Sequence, residues 1–135
     1  MYGRTRIMKA IFIVHRKMQE EFNQDIGFDF ESYKYGPFDK DVYEALEELQ
    51  EKSLVRTTSA EEHPVGRDEP EYTLTQNGRK LARDLFENLD SQKQELLKWV
   101  RYKQADRPLG SLLSYVYRKY PDMADNSEIT DQVAK

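Results

Sequence analysis

The order of secondary-structure signals in the middle of the chain limits the possible folds more than any other feature of the sequence. Apolar residues at three- and four-residue steps predict a helix over residues 39–52, since that spacing places them on one face. The β-branched stretch 53–58 and the segment 71–74 predict two strands, which a polar loop with two prolines and a glycine separates. A second amphipathic pattern over residues 76–89 predicts the next helix. This order predicts a β-hairpin wing at about residues 54–74, with a helix on either side of it.

The segment before this central part begins with another predicted helix, from Thr5 to Phe22, which has a single apolar stripe. Aromatic and polar residues then alternate from Phe28 to Tyr35, which predicts a half-buried strand or extended segment. Gly36 and Pro37 are expected to end that segment. Asp39 can cap the helix that follows, because its carboxylate can accept hydrogen bonds from the first free amides.

Two further helices are predicted near the carboxyl end, over about residues 92–104 and 109–120, and Pro121 ends the second of them. With the helix after the wing they form a C-terminal helical extension at about 76–120. Residues 122–135 are polar and are expected to form a tail. The sequence therefore predicts one domain over residues 1–121. We expect it to be α+β and mainly helical, a winged helix-turn-helix with additional C-terminal helices.

Composition excludes several classes of protein. The chain contains no cysteine, so it has neither disulfides nor thiolate metal sites. Its longest apolar run, Ala10 to Val14, is too short for a secretory signal or a membrane span. We therefore expect a cytoplasmic protein that does not contact membranes. The net charge is −4, with basic and acidic blocks alternating along the chain, which argues against a generally basic DNA coat.

The sequence gives little support to catalysis. His15 and His63 are the only histidines, and the paired acids lie on predicted helix surfaces that imply no pocket. No phosphate-binding glycine loop and no nucleophile motif is present in the sequence. We predict a protein that is not an enzyme and that has no cofactor and no metal site.

Two stretches, VYEALEELQEKSLV and EYTLTQNGRKLARDL, resemble winged-helix transcription regulators of the PadR type. The resemblance covers about residues 37–86, and Ser53 stands where those regulators have a turn glycine. It implies a DNA-binding regulator that dimerises through its C-terminal helices. The matching residues are Tyr43, Leu46, Leu49, Leu54, Val55, Tyr72, Leu74, Thr75 and Gly78.

A looser resemblance covers more of the chain. The order YKYGPF before the central helix, together with SLLSYVYRKYPDMADNS near the end, is similar to the Panacea-domain (SocA-like) small winged-helix proteins. Some of those proteins are antitoxins or adaptors. This resemblance implies an interaction module that need not touch DNA, because a fold by itself does not assign a function.

The helix over residues 39–52 occupies the DNA-reading position of a winged helix, yet it contains six acids and only two lysines. Lys40 and Tyr43, near its amino end, suit a role facing the DNA groove. Phosphate contacts are expected from an N-terminal arm, the wing and the helix after it, and DNA binding requires these cations to share one surface. The predicted phosphate contacts are Arg4, Arg6, Lys9, Arg56, Arg67, Arg79 and Lys80.

The spread of these cations over the arm, the wing and the following helix makes a DNA-binding regulator the leading expectation. The outward glutamates of the central helix favour an alternative, since they repel phosphates over a Debye length of about 8 Å at physiological salt. In that alternative, the acidic side of the helix binds a basic protein partner. We also expect a homodimer through one face of the last helix, although an intramolecular core role for that face is an open alternative. The residues of that face are Leu109, Leu112, Leu113, Val116, Tyr117 and Tyr120.

Overall fold

The structure, a computed structural model, describes residues 1–58 and 69–125. The fold is α+β and mainly helical, as the sequence predicts, with two small antiparallel sheets of two strands each in this part of the chain. A π-helical turn, Val100–Gln104, continues α4, and a 3-10 turn, Pro121–Ala124, follows α5. The elements are α1 (Arg4–Phe22), β1 (Glu31–Tyr33), β2 (Gly36–Phe38), α2 (Lys40–Glu51), β3 (Val55–Thr58), β4 (Glu71–Leu74), α3 (Gln76–Glu87), α4 (Ser91–Trp99) and α5 (Leu109–Lys119).

Helices α1 and α5 form the centre of the core. Phe12 and Ile13 of α1 and Leu112 and Val116 of α5 are fully buried. The structure therefore corrects the predicted dimer surface, because the chain's own core already covers that face of α5. Only Leu109 remains partly exposed. The corrected residues are Leu112, Leu113, Val116, Tyr117 and Tyr120.

The connection between α1 and α2 is a β-hairpin, where the sequence predicted a single extended segment. Strands β1 and β2 pair antiparallel, with Tyr33 opposite Gly36 and the two residues Lys34 and Tyr35 at the tip. Gly36 and Pro37, expected to end the segment, instead begin the return strand. Gly36 has φ of +98°, a conformation in which glycine is not strained. No helix occurs between α1 and α2 in this described segment.

The two strands predicted to form the wing are present as the antiparallel pair β3–β4, which we call the wing and in which Val55 lies opposite Leu74 and Thr58 opposite Glu71. Residues 59–68 of the connecting loop, with Arg67, lie outside the described residues. The first residues of the chain extend the outer edge of β4. There the amide of Tyr72 donates to the carbonyl of Met1 at 2.8 Å.

The start of α3 is fixed against the turn between α2 and β3. The Thr75 side chain accepts a hydrogen bond from the amide of Gly78 at 3.0 Å, and its hydroxyl donates to the carbonyl of Ser53 at 2.6 Å. A Cβ atom at Gly78 would lie 1.9 Å from the Leu54 carbonyl oxygen, so only glycine fits at this position. The close packing of the α3 backbone on the backbone at Leu54 thus explains why threonine stands at position 75 and glycine at position 78.

Beyond its first turn, α3 is less covered than its amphipathic pattern predicts. Leu81 and Leu85, which belong to the apolar side of that pattern, are 43% and 60% exposed. The chain also stays ordered past the predicted domain end at residue 121. Met123 is buried, and its carbonyl accepts a hydrogen bond from the Ser32 hydroxyl. Residues 126–135 of the predicted tail lie outside the described part.

Candidate functional site

Helix α2 begins after Asp39, whose carboxylate accepts hydrogen bonds from two backbone amides. Asp39 accepts hydrogen bonds from the amide of Asp41 at 2.8 Å and from the amide of Asp29 at 2.7 Å. The predicted cap is therefore confirmed, and the same side chain ties the start of α2 to the segment before β1. Val42 and Leu46 are buried, which fixes the opposite side of α2 toward solvent.

That outward side carries four exposed glutamates, which we call the acidic face: Glu44, Glu47, Glu48 and Glu51. One nearby cation is Lys52, directly after α2, whose ammonium lies 2.8 Å from a carboxylate oxygen of Glu48. The hydrogen bond from Lys52 lowers the pKa of Glu48, and the same bond raises the pKa of Lys52. Both side chains are exposed, so this pair leaves the acidic face hydrated and negative.

Arg4, predicted to contact phosphate, lies against α2. Its guanidinium carbon is 3.9 Å from the centre of the Tyr43 ring, and a guanidinium nitrogen lies 4.0 Å from a carboxylate oxygen of Glu47. A cation–π contact and an ion pair hold it there, although it remains exposed. Its charge offsets part of the acidic face.

Arg6 is not available to a nucleic acid. Its side chain is buried and donates to the backbone carbonyls of Tyr2, Ala105 and Arg107. Two of these carbonyls follow the π-helical turn, at the negative end of that helical segment. The predicted phosphate contact is therefore wrong for Arg6, which joins α1 to the turn after α4.

Lys9 is also wrong as a phosphate contact. The side chain is only 3% exposed, and its ammonium donates to the carbonyl of Pro37 at 2.8 Å. Loss of hydration lowers the pKa of Lys9 to about 8, because burial penalises the charged form. Lys9 thus holds the hairpin against α1.

Of the remaining predicted cations, Arg67 lies outside the described residues, and the other four are exposed, although at least one of these turns away from α2. The amide of Gln50, on α2, donates to Thr57, so Arg56 next to it in β3 points to the opposite face of the wing. Arg56 lies 3.4 Å from the Thr73 hydroxyl on that face. Lys40, Arg79 and Lys80 are exposed at the starts of α2 and α3.

An aromatic row beside the acidic face was not predicted as a site. The rings of Tyr33 and Phe38 are tilted by 31° with centres 5.4 Å apart, and Phe38 and Tyr43 form a T-shaped pair with centres 5.6 Å apart. Tyr33 and Tyr35 at the hairpin tip are 53% and 54% exposed. The alternation of aromatic residues before α2 contained this signal, but only the hairpin pairing brings Tyr33 next to Phe38.

No protein-family model, curated protein sequence or solved structure matches this chain. None of the helices in residues 1–58 and 69–125 combines the length and the apolarity needed to cross a bilayer. Within the same residues, no group of three or more histidines and carboxylates is arranged to hold a metal ion.

Proposed function

We propose that this chain is a winged-helix-like protein-interaction module, an antitoxin or an adaptor, that works in the cytoplasm. The acidic face of α2 and the aromatic row together form its binding surface. The observation that carries the proposal is the exposed row of glutamates on the same helix as Tyr43, whose ring is connected through Phe38 to the exposed Tyr33 of the β1–β2 hairpin. The looser resemblance to Panacea-domain proteins supports the same reading.

This surface has the chemistry to bind arginine and lysine side chains of a partner. Tyrosine is enriched among the residues that contribute most to interface affinity, and its ring attracts cations. The contact of Arg4 with Tyr43 and Glu47 illustrates within the chain how a guanidinium is held by a ring and a carboxylate together. Negative potential around α2 would also speed the approach of a basic partner.

An arginine-rich peptide tests this proposal by fluorescence titration. Replacing Glu44 and Glu47 by glutamine should weaken its binding about three- to tenfold, from the usual range for exposed ion pairs. The matched control replaces Glu87 of α3 and Glu95 of α4, which removes the same charge from other surfaces. Equal weakening in both double variants would show attraction to net charge alone and would refute the proposed site.

A DNA-binding transcription regulator is the second candidate, because the β3–β4 wing lies directly after α2. In this function Lys40 and Tyr43 approach the bases, while Arg4, Arg56, Arg79 and Lys80 contact phosphates. Titration with mixed-sequence duplex at two salt concentrations tests it. The logarithm of affinity should fall with the logarithm of salt by about 0.9 for each neutralised phosphate. Absence of binding at low salt would exclude this candidate.

A homodimer remains part of both candidates, as proposed from the sequence. Since the core covers most of the predicted α5 face, the contact between copies must use other surfaces. The exposed leucines of α3, Leu81 and Leu85, are the largest apolar side chains on that helix that the core leaves uncovered.

A further inference from the structure

A groove between α3 and α4 lies apart from the acidic face and has a different chemistry. Its volume is about 380 Å³, within the usual range for sites that hold small molecules. Ala82 and Phe86 line it from α3, and Leu97 lines it from α4. At one end, the side-chain amide of Gln94 donates to the carbonyl of Phe86 at 2.9 Å and holds the two helices together.

Cations surround this apolar floor. Arg83, Lys98 and Arg101 line the groove, and the ammonium of Lys98 lies 5.9 Å from the centre of the Phe86 ring. Lys98 and Arg101 also pair with exposed carboxylates, those of Glu95 at 3.8 Å and Asp106 at 2.8 Å. For Arg83, none of the carboxylates in the described ranges lies within ion-pair distance.

The π-helical turn shapes the wall of the groove at Arg101 and Tyr102. In this turn the amide of Ala105 donates to the carbonyl of Val100 at 2.8 Å, a spacing of five residues. Such turns are rare and occur often at functional sites, since the added residue changes the direction of the side chains. Tyr102 is 67% exposed at the edge of the apolar floor, and the guanidinium carbon of Arg101 lies 5.6 Å from the centre of its ring.

We propose that this groove binds a small organic acid with an apolar body, and that this binding site is independent of the function proposed for α2. The apolar body covers the floor formed by Ala82, Phe86 and Leu97, which removes apolar surface from water. The carboxylate pairs with Arg83 and Arg101 at the rim, since guanidinium groups match the two oxygens of a carboxylate. An uncharged alcohol of the same length lacks the second interaction, and a short acid lacks the first.

Titration followed by two-dimensional amide NMR tests the groove with decanoate, decanol and acetate as probes. We expect decanoate to bind with a dissociation constant on the order of 1 mM, the affinity usual for a ligand of this size. The amide shifts should be confined to residues 82–86 and 97–102. Decanol and acetate should each bind at least about fivefold more weakly. Shifts spread over other surfaces, no saturation by decanoate, or equal binding of decanol would each overturn the proposal.

Single-residue variants distinguish binding in the groove from a general attraction of the acid to surface cations. Arg83→Gln should weaken decanoate binding about three- to fivefold, since one exposed charge pair is lost. Lys103→Gln removes the same charge from the π-helical turn, outside the groove lining, and should leave binding unchanged. Ala82→Trp should abolish binding by filling the groove. If Arg83→Gln binds decanoate as the unmodified chain does, or if Lys103→Gln weakens it equally, the site is not the one proposed.

Discussion

The burial of Lys9 predicts that the free energy of unfolding of this chain rises with pH above neutrality. Its ammonium is enclosed between α1 and the β1–β2 hairpin, where a backbone carbonyl, Pro37, accepts its hydrogen bond. No carboxylate is among the causes of its pKa shift, which is due to lost hydration alone. Folding therefore has to bury a charge at neutral pH, and this cost disappears once the amine is neutral. The neutral amine can still donate to the same carbonyl.

The size of the effect follows from the two pKa values. Burial lowers the pKa of Lys9 from 10.5 to about 8, and the unfolded chain keeps the ordinary value. Between these values the unfolded state binds more protons than the folded state, so the free energy of unfolding rises with pH. From pH 7 to pH 9.5 the gain should be about 2 kcal/mol, since each unit of pKa difference corresponds to about 1.4 kcal/mol.

Urea denaturation followed by circular dichroism between pH 7 and pH 9.5 measures this gain. The window must stay below pH 10, because burial raises the pKa of Tyr72, Tyr115 and Tyr120. These tyrosines contribute stability at lower pH that is lost as pH rises above their unfolded value of 10. Lys9→Met is the control, since it keeps an unbranched side chain that is only one atom shorter and removes the titrating group. A flat profile in the unmodified chain, or an equal rise in Lys9→Met, would refute the reasoning.

Two predictions concern packing. Gly78→Ala should destabilise the folded chain by about 1–3 kcal/mol or more, because its Cβ would meet the Leu54 carbonyl oxygen. The control Gly110→Ala places a Cβ with nothing within 4 Å and should stabilise the folded chain by about 0.4–1 kcal/mol. Thermal melts of the two variants check this pair, and equal melting temperatures would contradict the close approach at Gly78. Leu112→Ala should cost about 2–5 kcal/mol at every protein concentration, as expected for a core residue. If urea midpoints show a loss that depends on protein concentration, Leu112 belongs to a dimer contact after all.

The periodic parts of the fold could be predicted closely from the sequence. Helix α1 begins and ends within one residue of its predicted limits, and α2 begins directly after the predicted cap at Asp39. Both strands of the wing lie where β-branched residues and the polar loop indicated them. In each case the signal is local, because apolar spacing and capping depend on neighbours within a few residues.

The hairpin between α1 and α2 could not be predicted in the same way. Each of its strands has three residues, too few for alternation to separate one strand from two. From the local sequence alone, Gly36 and Pro37 indicate the end of a strand. In the structure, however, Pro37 is fully buried and Gly36 packs against Leu113 and Lys9. The pairing thus depends on contacts with α1 and α5, which lie far away in sequence.

The positions of the cations were the main error at the candidate site, and the reason is physical. Helix α1 is central and buried on several sides, so the side chains of Arg6 and Lys9 are enclosed. Their charged ends donate to backbone carbonyls of the same chain. Composition shows only that this segment is basic. It does not reveal that the segment is enclosed.

Residues of the basic N-terminal segment therefore bind to other parts of the same chain, and they connect the two surfaces that carry our proposals. Gly3 donates its amide to the carbonyl of Pro70 beside β4, and Arg4 lies on Tyr43 at the edge of the acidic face. Two residues later, Arg6 binds the carbonyls that follow the π-helical turn, whose Arg101 lines the groove. Residues 1–6 thus contact both surfaces. Their packing fixes the positions of the wing, α2 and the π-helical turn relative to one another.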